Sequence, residues 1–348
     1  LYPFSVDRNY VRDSWYVAAL SSEVSDNPVD RRILGDLVLL YRDSNGDPVA
    51  LSGLCPHRRL PLRLGKRVGD NVQCGYHGIT FDTGGNCVSV PTQEKPSERL
   101  SLHKYPVAER WKWIWIWTGD PADADPNLIP DHREMGLEGD WEATPPEYYH
   151  VAARSQMLIE NLLDLSHISF LHGDYIEDAA WYETPVTIER DGDRCVASRH
   201  TPSSRSSDFH RWMFPDAPDL VGQDLRTVFL GPALTYSGPV VREAAANGSN
   251  GRYLGTMYAA HAITPETPRS SHYFSTTTRD FRTDDAAMSE ELHTMDIAVR
   301  NQDLVALAAI EAELHREDSL PPEVSVKADN PALYVRRMIE DRLRAQPA

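Results

Sequence analysis

Up to residue 118 the apolar residues fall in short runs or strict alternation, and from residue 155 longer helical spacings join them. LVLLYRD (37–43), PVALSGL (48–54) and WKWIWIW (111–117) read as strands, with Asn45-Gly46-Asp47 and Thr83-Gly84-Gly85-Asn86 as hairpin-type turns. Trp111, Trp113, Trp115 and Trp117 alternate with Lys112, Ile114 and Ile116, which predicts one shared strand face for the four indoles. Core or interface packing accounts for them more simply than an aromatic binding surface. The polar stretch GDPADADPNLIPDHREMGLEGD (119–140) breaks the pattern and reads as a linker. Beyond it, SQMLIENLLDLSHISFLHG (155–173) has helical spacing and ends at Gly173. Strand-like segments follow at 184–200, 225–241, 253–263 and 271–279. Two loops are expected between them, at 201–220 and 243–251. The first carries His210, Trp212 and Phe214 and suits a lid or substrate-lining loop. Residues 285–317 read as one long helix, and no internal repeat is visible. This predicts two domains, 1–130 and 131–348, in a chain of 348 residues that is long enough for two cores.

Composition narrows the class. Hydrophobic content of 41% and charged content of 25% are those of an ordinary soluble protein. No run of eighteen apolar residues suggests a membrane span, and LYPFSVDRNYVRDSWYV lacks a signal-peptide pattern. A net charge of −17 argues against nucleic acid and anionic membranes as partners. The cysteines are 55, 74, 87 and 195, too few for a secreted disulfide framework if two hold a metal. A cytoplasmic setting is therefore expected.

The candidate chemistry sits at two places. Cys55-Pro-His57 is followed, after sixteen residues, by Cys74-Gly-Tyr-His77. A [2Fe–2S] cluster of the Rieske kind takes two Cys on one iron and two His on the other. Each short loop here offers one Cys and one His, so the two would clamp the cluster between them. A zinc site of two Cys and two His is the alternative, but zinc fingers usually pair Cys with Cys and His with His, and here the types alternate. Arg58, Arg59, Arg63, Lys66 and Arg67 crowd the same stretch of an otherwise acidic chain. They read either as a solvated loop or as a landing site for an acidic electron donor.

The second place is Glu160-Asn161-x-x-Asp164-x-x-His167-x-x-Phe170-x-His172. On a continuous helix, residues five apart diverge by about 140°, so His167 and His172 reach one metal only if the helix ends or bends between them. Two His need a carboxylate to complete the facial triad that holds non-haem Fe(II) with open positions. Asp303, at the head of an apolar run, is the candidate. Asp296 and Glu311 are rivals, each more simply a solvated helix charge. Asp164, three residues before His167, reads either as a surface carboxylate or as a residue that hydrogen-bonds a ligand His.

Together the two motifs resemble the Rieske non-haem iron oxygenases, above all the single-component α3 type. The matching stretches are WYVAAL (15–20), CPHRRLPLRLG (55–65), CGYHG (74–78), VAERWKWIWIWTGDP (107–121), IENLLDLSHISFLH (159–172) and ITPET (263–267), so the resemblance covers nearly the whole chain. It implies an α+β protein: an N-terminal Rieske β-sandwich domain and a C-terminal helix-grip catalytic domain of antiparallel sheet with helices. Carried over residue by residue, Cys55, His57, Cys74 and His77 hold the [2Fe–2S] cluster. His167, His172 and Asp303 hold mononuclear Fe(II), and Asp164 matches the bridging aspartate. The resemblance implies a head-to-tail homotrimer, with one subunit's cluster beside the next subunit's iron. An NADH-dependent reductase, alone or through a ferredoxin, supplies electrons, and O2 and an aromatic small molecule are the substrates. Demethylation or monooxygenation is the expected reaction, with ring dihydroxylation as the alternative. Segment 175–260 matches only loosely, so the substrate is not readable. A pure Rieske electron carrier is the rival from another class, but it has no use for residues 155–317. His261 lies on a strand face with Met257, Ala259 and Ile263. It is either a satisfied core histidine or a contact for a polar group of the substrate.

Overall fold

The computed structural model describes residues 3, 4, 6, 9–176, 178–244, 251–316 and 323–346. They divide into two compact units: Arg12–Ile129 with Thr264–Pro268, and the described residues up to Val11 with those of Pro130–Ile263 and from Arg269 onward.

The first unit is built of antiparallel strands in three small sheets. Trp15–Leu20, Trp113–Trp117 and Val107–Arg110 form one. Val29–Ile33, Asp36–Arg42, Pro48–Ser52 and Lys104–Tyr105 form the second. Lys66–Val68, Asn71–Gln73, Thr80–Phe81 and Cys87–Ser89 form the third. The indole ladder departs from its pattern in two ways. Trp113 to Trp117 are buried at every position, isoleucines included, so this strand is covered on both faces. Trp111 stands outside it, at a φ of +56°. Each buried indole contributes about 4–6 kcal/mol of transfer free energy before chain entropy is charged against it. The 45–47 turn forms as expected: Gly46 takes a φ of +87°, and Asp43 accepts hydrogen bonds from the N–H groups of Asn45 and Asp47.

The second unit is one antiparallel sheet with helices packed on it. Its long strands are β1 (Thr187–Asp191), β2 (Arg194–Arg205), β3 (Leu220–Phe229), β4 (Leu234–Glu243), β5 (Tyr253–Thr267) and β6 (Ser270–Arg279), each beside the next. Glu142–Ala143 and Glu147–Val151 add to the far edge of β6. Segment 201–220 is not the loop expected from its polar residues. Strand β2 runs on to Arg205, and a short helix, Asp208–Met213, follows with Ser207 as its N-cap. Phe209, Met213 and Phe214 join the core with Leu225, Val241 and Phe281, and His210 is fully buried. Residues 245–250 of the other expected loop lie outside the described residues.

Four helices matter for the site: α1 (Ser155–Leu163), α2 (Ile168–Leu171), α3 (Ala286–Arg316) and α4 (Asn330–Ala345). Leu158, Ile159 and Leu162 of α1 pack with Val335, Ile339 and Leu343 of α4. Arg336 of α4 clasps Glu160 of α1 through Nε at 2.6 Å and also through Nη2. In α3 the inward face is Met288, Leu292, Asp296, Arg300, Asp303, Leu307 and Glu311, at helical spacings of three and four. Four of these seven are charged, so each must find its partner inside. No helix among the described residues is long and apolar enough to cross a membrane.

Candidate active site

In the first unit the two expected loops share one backbone design. Cys55 N–H donates to Leu60 C=O and Cys74 N–H to Ile79 C=O, each five residues on. Arg59 N–H and Gly78 N–H return to the Cys55 and Cys74 carbonyls, four residues back. Those two returning residues are left-handed, at φ +60° and +69°. Gly78 takes this conformation freely, and Arg59 takes it at a cost. Both thiols point inward, at 1% and 2% exposure, while His57 and His77 are exposed with ring centroids 4.5 Å apart. The donors thus sort by type, two sulfurs inside and two imidazoles outside, as a cluster with two Cys on one iron and two His on the other requires. Burial first, and then the neighbouring Cys74 thiol, push the Cys55 thiol up to about 11, so in the cluster-free protein it keeps its proton.

The second unit brings His167, His172 and Asp303 together. One donor atom from each lies within 4.8 Å of the other two. His172 Nε2 is 3.2 Å and His167 Nε2 3.5 Å from Asp303 Oδ1. The chain achieves this by breaking the helix earlier than expected. At Asp164 the backbone leaves helical geometry (φ −100°, ψ 88°), a 3-10 turn carries Leu165–His167, and α2 follows. This first break precedes both histidines; the helix also ends between them, at Leu171, leaving His172 as its non-helical cap (φ −111°, ψ 18°). Asp164 contacts His167 with its backbone carbonyl, which His167 Nδ1 meets. Its carboxylate instead accepts from Ser166 N–H at 3.0 Å and Ser166 Oγ at 2.6 Å, capping the turn. His172 Nδ1 meets Gln302 Oε1 at 2.8 Å, and Asn161 Nδ2 donates to Asp303 Oδ1 at 2.9 Å. Gln302 and Asn161 are neutral amides, and neither their type nor their spacing marks them in the sequence as partners of a metal ligand.

These bonds decide the tautomers. A carbonyl and an amide oxygen can only accept, so both Nδ1 atoms carry a proton, and each Nε2 faces the carboxylate, as a lone pair in the neutral ring and as a donor in the imidazolium. Three acceptors converging in a buried place need a cation, and two imidazoles with one carboxylate form the donor set of non-haem iron. Burial alone would raise the Asp303 carboxyl, but its hydrogen bonds with His167 and His172 and their charge hold it well below the usual range. Burial likewise opposes protonation of His167, yet Asp303 outweighs it and raises that imidazole.

The rival carboxylates are engaged elsewhere, and neither is a solvated helix charge. Glu311 is bidentate with Arg154, at 2.7 Å on each oxygen. Asp296 lies 3.5 Å from Arg300. A largely apolar cavity opens beside the trio, with Leu162, Ile176, Trp181 and Met257 on its walls. His261 lines it and is 3% exposed, with Nδ1 2.7 Å from Tyr273 Oη and Nε2 3.2 Å from Ser237 Oγ. Burial, then the nearby Arg300 charge, hold His261 neutral. Gly238 shapes the same wall: its φ is +152°, and a Cβ there would fall 2.0 Å from the Met257 carbonyl oxygen.

Residues 14–106 match the Rieske [2Fe-2S] domain, and residues 151–345 match the vanillate O-demethylase oxygenase C-terminal domain. The chain belongs to the Rieske non-haem iron oxygenases. It is 35% identical to the dicamba O-demethylase oxygenase component of Stenotrophomonas maltophilia, over 95% of this chain and 97% of that one. It is 32% identical to the chloroacetanilide N-alkylformylase oxygenase component of Rhizorhabdus wittichii, over 97% of each. The crystal structure of dicamba monooxygenase bound to 3,6-dichlorosalicylic acid matches with a TM-score of 0.85 at 31% identity, over 97% of this chain and 98% of that one. As a Rieske non-haem iron oxygenase the protein is an oxidoreductase that uses a [2Fe–2S] cluster and a mononuclear iron.

Proposed function

We propose that this Rieske oxygenase O-demethylates or hydroxylates an aromatic compound bearing a carboxylate or phenol group, as the terminal oxygenase of a multicomponent system. The observation that carries the reading is the convergence of His167, His172 and Asp303 beside an apolar cavity, in a chain that also bears the Cys55–His57 and Cys74–His77 loops. In this reading the four loop residues hold the cluster, and the trio holds iron. When bound, the cluster delivers electrons one at a time and the iron activates dioxygen.

The chain's residues do the rest. The Asp164 carbonyl and Gln302 keep each imidazole in its ligand tautomer. Leu162, Ile176, Trp181 and Met257 exclude water and hold the ring. His261, braced by Tyr273 and Ser237, orients the substrate's polar group. Hydroxylation of a methoxy methyl gives a hemiacetal, which releases formaldehyde and leaves a phenol. The second oxygen atom of O2 leaves as water, with two protons and the two electrons of NADH. The donor is an NADH-dependent reductase, alone or through a ferredoxin. Arg58, Arg59 and Lys66 are exposed and can receive an acidic donor, whereas Arg63 pairs with Asp30 at 2.7 Å and Arg67 with Asp70 at 3.0 Å. The protein works in the cytoplasm as a head-to-tail homotrimer in which the Asp164 carboxylate links its own iron site to a neighbour's cluster. Residues 1–130 serve as the electron-accepting domain and 131–348 as the catalytic domain.

The test is product analysis with a panel of methoxylated and carboxylated aromatics, a surrogate reductase and NADH. Formaldehyde and phenol formed in equal amounts, with about three iron atoms per chain, are the expected outcome. A cis-dihydrodiol would replace demethylation with ring dihydroxylation. Two irons per chain and no product from any aromatic would sink the proposed activity.

A further inference from the structure

Two largely desolvated arginines of the catalytic unit differ in how they are paired. Arg154 is closed: Nε and Nη2 each lie 2.7 Å from an oxygen of Glu311, and nothing of the pair faces the cavity. Arg300 is open. It is 5% exposed, three residues before Asp303 on the same helix face, and lies on the cavity wall. Its Nε donates to Ser275 Oγ and its Nη2 to Thr277 Oγ1 at 3.2 Å, both neutral hydroxyls. Its one anionic contact among the described residues is Nη1 to Asp296 Oδ1 at 3.5 Å, too long for a normal hydrogen bond. On its other side Asp296 is met by the Thr277 hydroxyl and, at 3.5 Å, by Thr144 Oγ1, and burial raises its carboxyl above the usual range. Taking a guanidinium out of water costs several kcal/mol, and only a well-placed counter-ion offsets that. Asp296 offsets it in part. Arg300 is therefore a fixed fork of donors, positioned by two hydroxyls, with its strongest bonding capacity unspent in a mostly apolar cavity.

We infer that Arg300 recognises an oxyanion on the substrate, a carboxylate or a sulfonate, and that Asp296 is the weak counter-ion with which that oxyanion competes. The inference rests on the cavity being the aromatic site, and it narrows that reading: of carboxylated and phenolic substrates, it selects the carboxylated. The chemistry is that of a planar guanidinium, which meets two oxygens of one group in parallel. It also fixes an unusual sign. If the pair were only structural, removing the Asp296 charge would destabilise the fold and leave ligand affinity alone. If Asp296 competes, removing its charge strengthens the binding of anions and of nothing else.

The experiment is calorimetric binding to the iron-loaded protein of three probes: 4-methoxybenzoate, 4-methylbenzenesulfonate and the neutral 4-methoxybenzamide. Arg300→Met should weaken one or both anions by about ten- to a hundredfold, the size of a lost charged hydrogen bond, with the benzamide changed less than about twofold. Arg300→Lys, which keeps the charge and loses the fork, should fall between. Asp296→Asn should bind the same anion about tenfold more tightly. The anion should also raise the melting temperature of Asp296→Asn more than that of the wild type. If Arg300→Met does not fold, Asp296→Asn and Arg300→Lys decide. Whichever anion responds names the oxyanion. Equal shifts for anions and benzamide, or weaker anion binding in Asp296→Asn, overturn the inference and leave the oxygenase reading standing. Wild-type protein that binds none of the three overturns both.

Discussion

His172 is useful as a ligand only because of what lies behind it. Its Nδ1–H is held by Gln302 Oε1 at 2.8 Å, which leaves the Nε2 lone pair toward Asp303. Gln302→Leu removes the acceptor, and the ring then loses both its orientation and its preference for the ligand tautomer. Iron(II) affinity should fall about ten- to a hundredfold, while the visible absorption of the cluster stays unchanged. Gln302→Glu, which keeps an acceptor oxygen in place, should retain the metal. Iron per chain after equilibration at fixed free iron checks this, and full occupancy in Gln302→Leu would show that the bond does not orient the ring. Gln302 illustrates what a sequence conceals at this scale. Cys, His and Asp announce metal chemistry by type and spacing. A neutral amide beside a ligand looks like any exposed helix residue until the helix is seen in place. Asn161, which donates to Asp303, is silent for the same reason.

At the scale of elements, the site depends on one interruption. The run from Ser155 to Gly173 has helical spacing throughout, and the only residue that disrupts it, Asp164, has a side chain that competes for backbone N–H groups. It breaks the helix and caps the turn that delivers His167. Asp164→Ala should therefore cost about 1 kcal/mol of stability and part of the mononuclear iron, because His167 loses its support. Asp164→Asn can still accept from Ser166, so it should keep fold and iron while stopping electron arrival at the iron. Thermal melts with iron analysis separate the two variants from the wild type. Equal iron loss in both would mean that the charge, rather than the cap, holds the turn. Elements with clear apolar runs were legible: the strands near 37–43, 48–54 and 111–117 of the first unit, most of the long sheet, and α3. Others were not. The polar stretch 201–220 hides a strand end and a capped helix, because its few apolar residues are spaced for a single short turn. Helix α4 is a different case: Ala332, Val335, Met338, Ile339 and Leu343 form an apolar stripe at spacings of three and four, legible in the sequence but not read from it. In α3 the inward face is mostly charged, so hydrophobic pattern alone could not show that Asp303 points inward while Asp296 and Glu311 are claimed by arginines.

At the scale of the molecule, the question is which cluster serves which iron. His57 and His77 are exposed although the proposed roles place them on iron, so the cluster's outer edge is offered to something beyond its own loops. The proposed occupant is a neighbouring subunit in a closed ring, in which every interface joins one subunit's cluster to the next subunit's iron. The ring makes a prediction that no single-chain path makes. A Cys55→Ser chain lacks the cluster but keeps iron, and a His172→Ala chain lacks iron but keeps the cluster. Each alone should be inactive. Dissociated together in equal amounts and reassembled, they should form interfaces where an intact cluster faces an intact iron. Random assortment places such a pair at about a quarter of interfaces, so the mixture should recover about a quarter of wild-type turnover. Sedimentation should give a particle of three 39.2 kDa chains for the wild type, for each variant and for the mixture. A trimeric mixture as inactive as its parents would place the electron path within one chain. Asp164, whose carboxylate is proposed to carry the link between subunits, supplies the control: introduced into the iron-bearing chain, Asp164→Asn should abolish the recovered activity, because that chain's iron is the one the neighbouring cluster must reach.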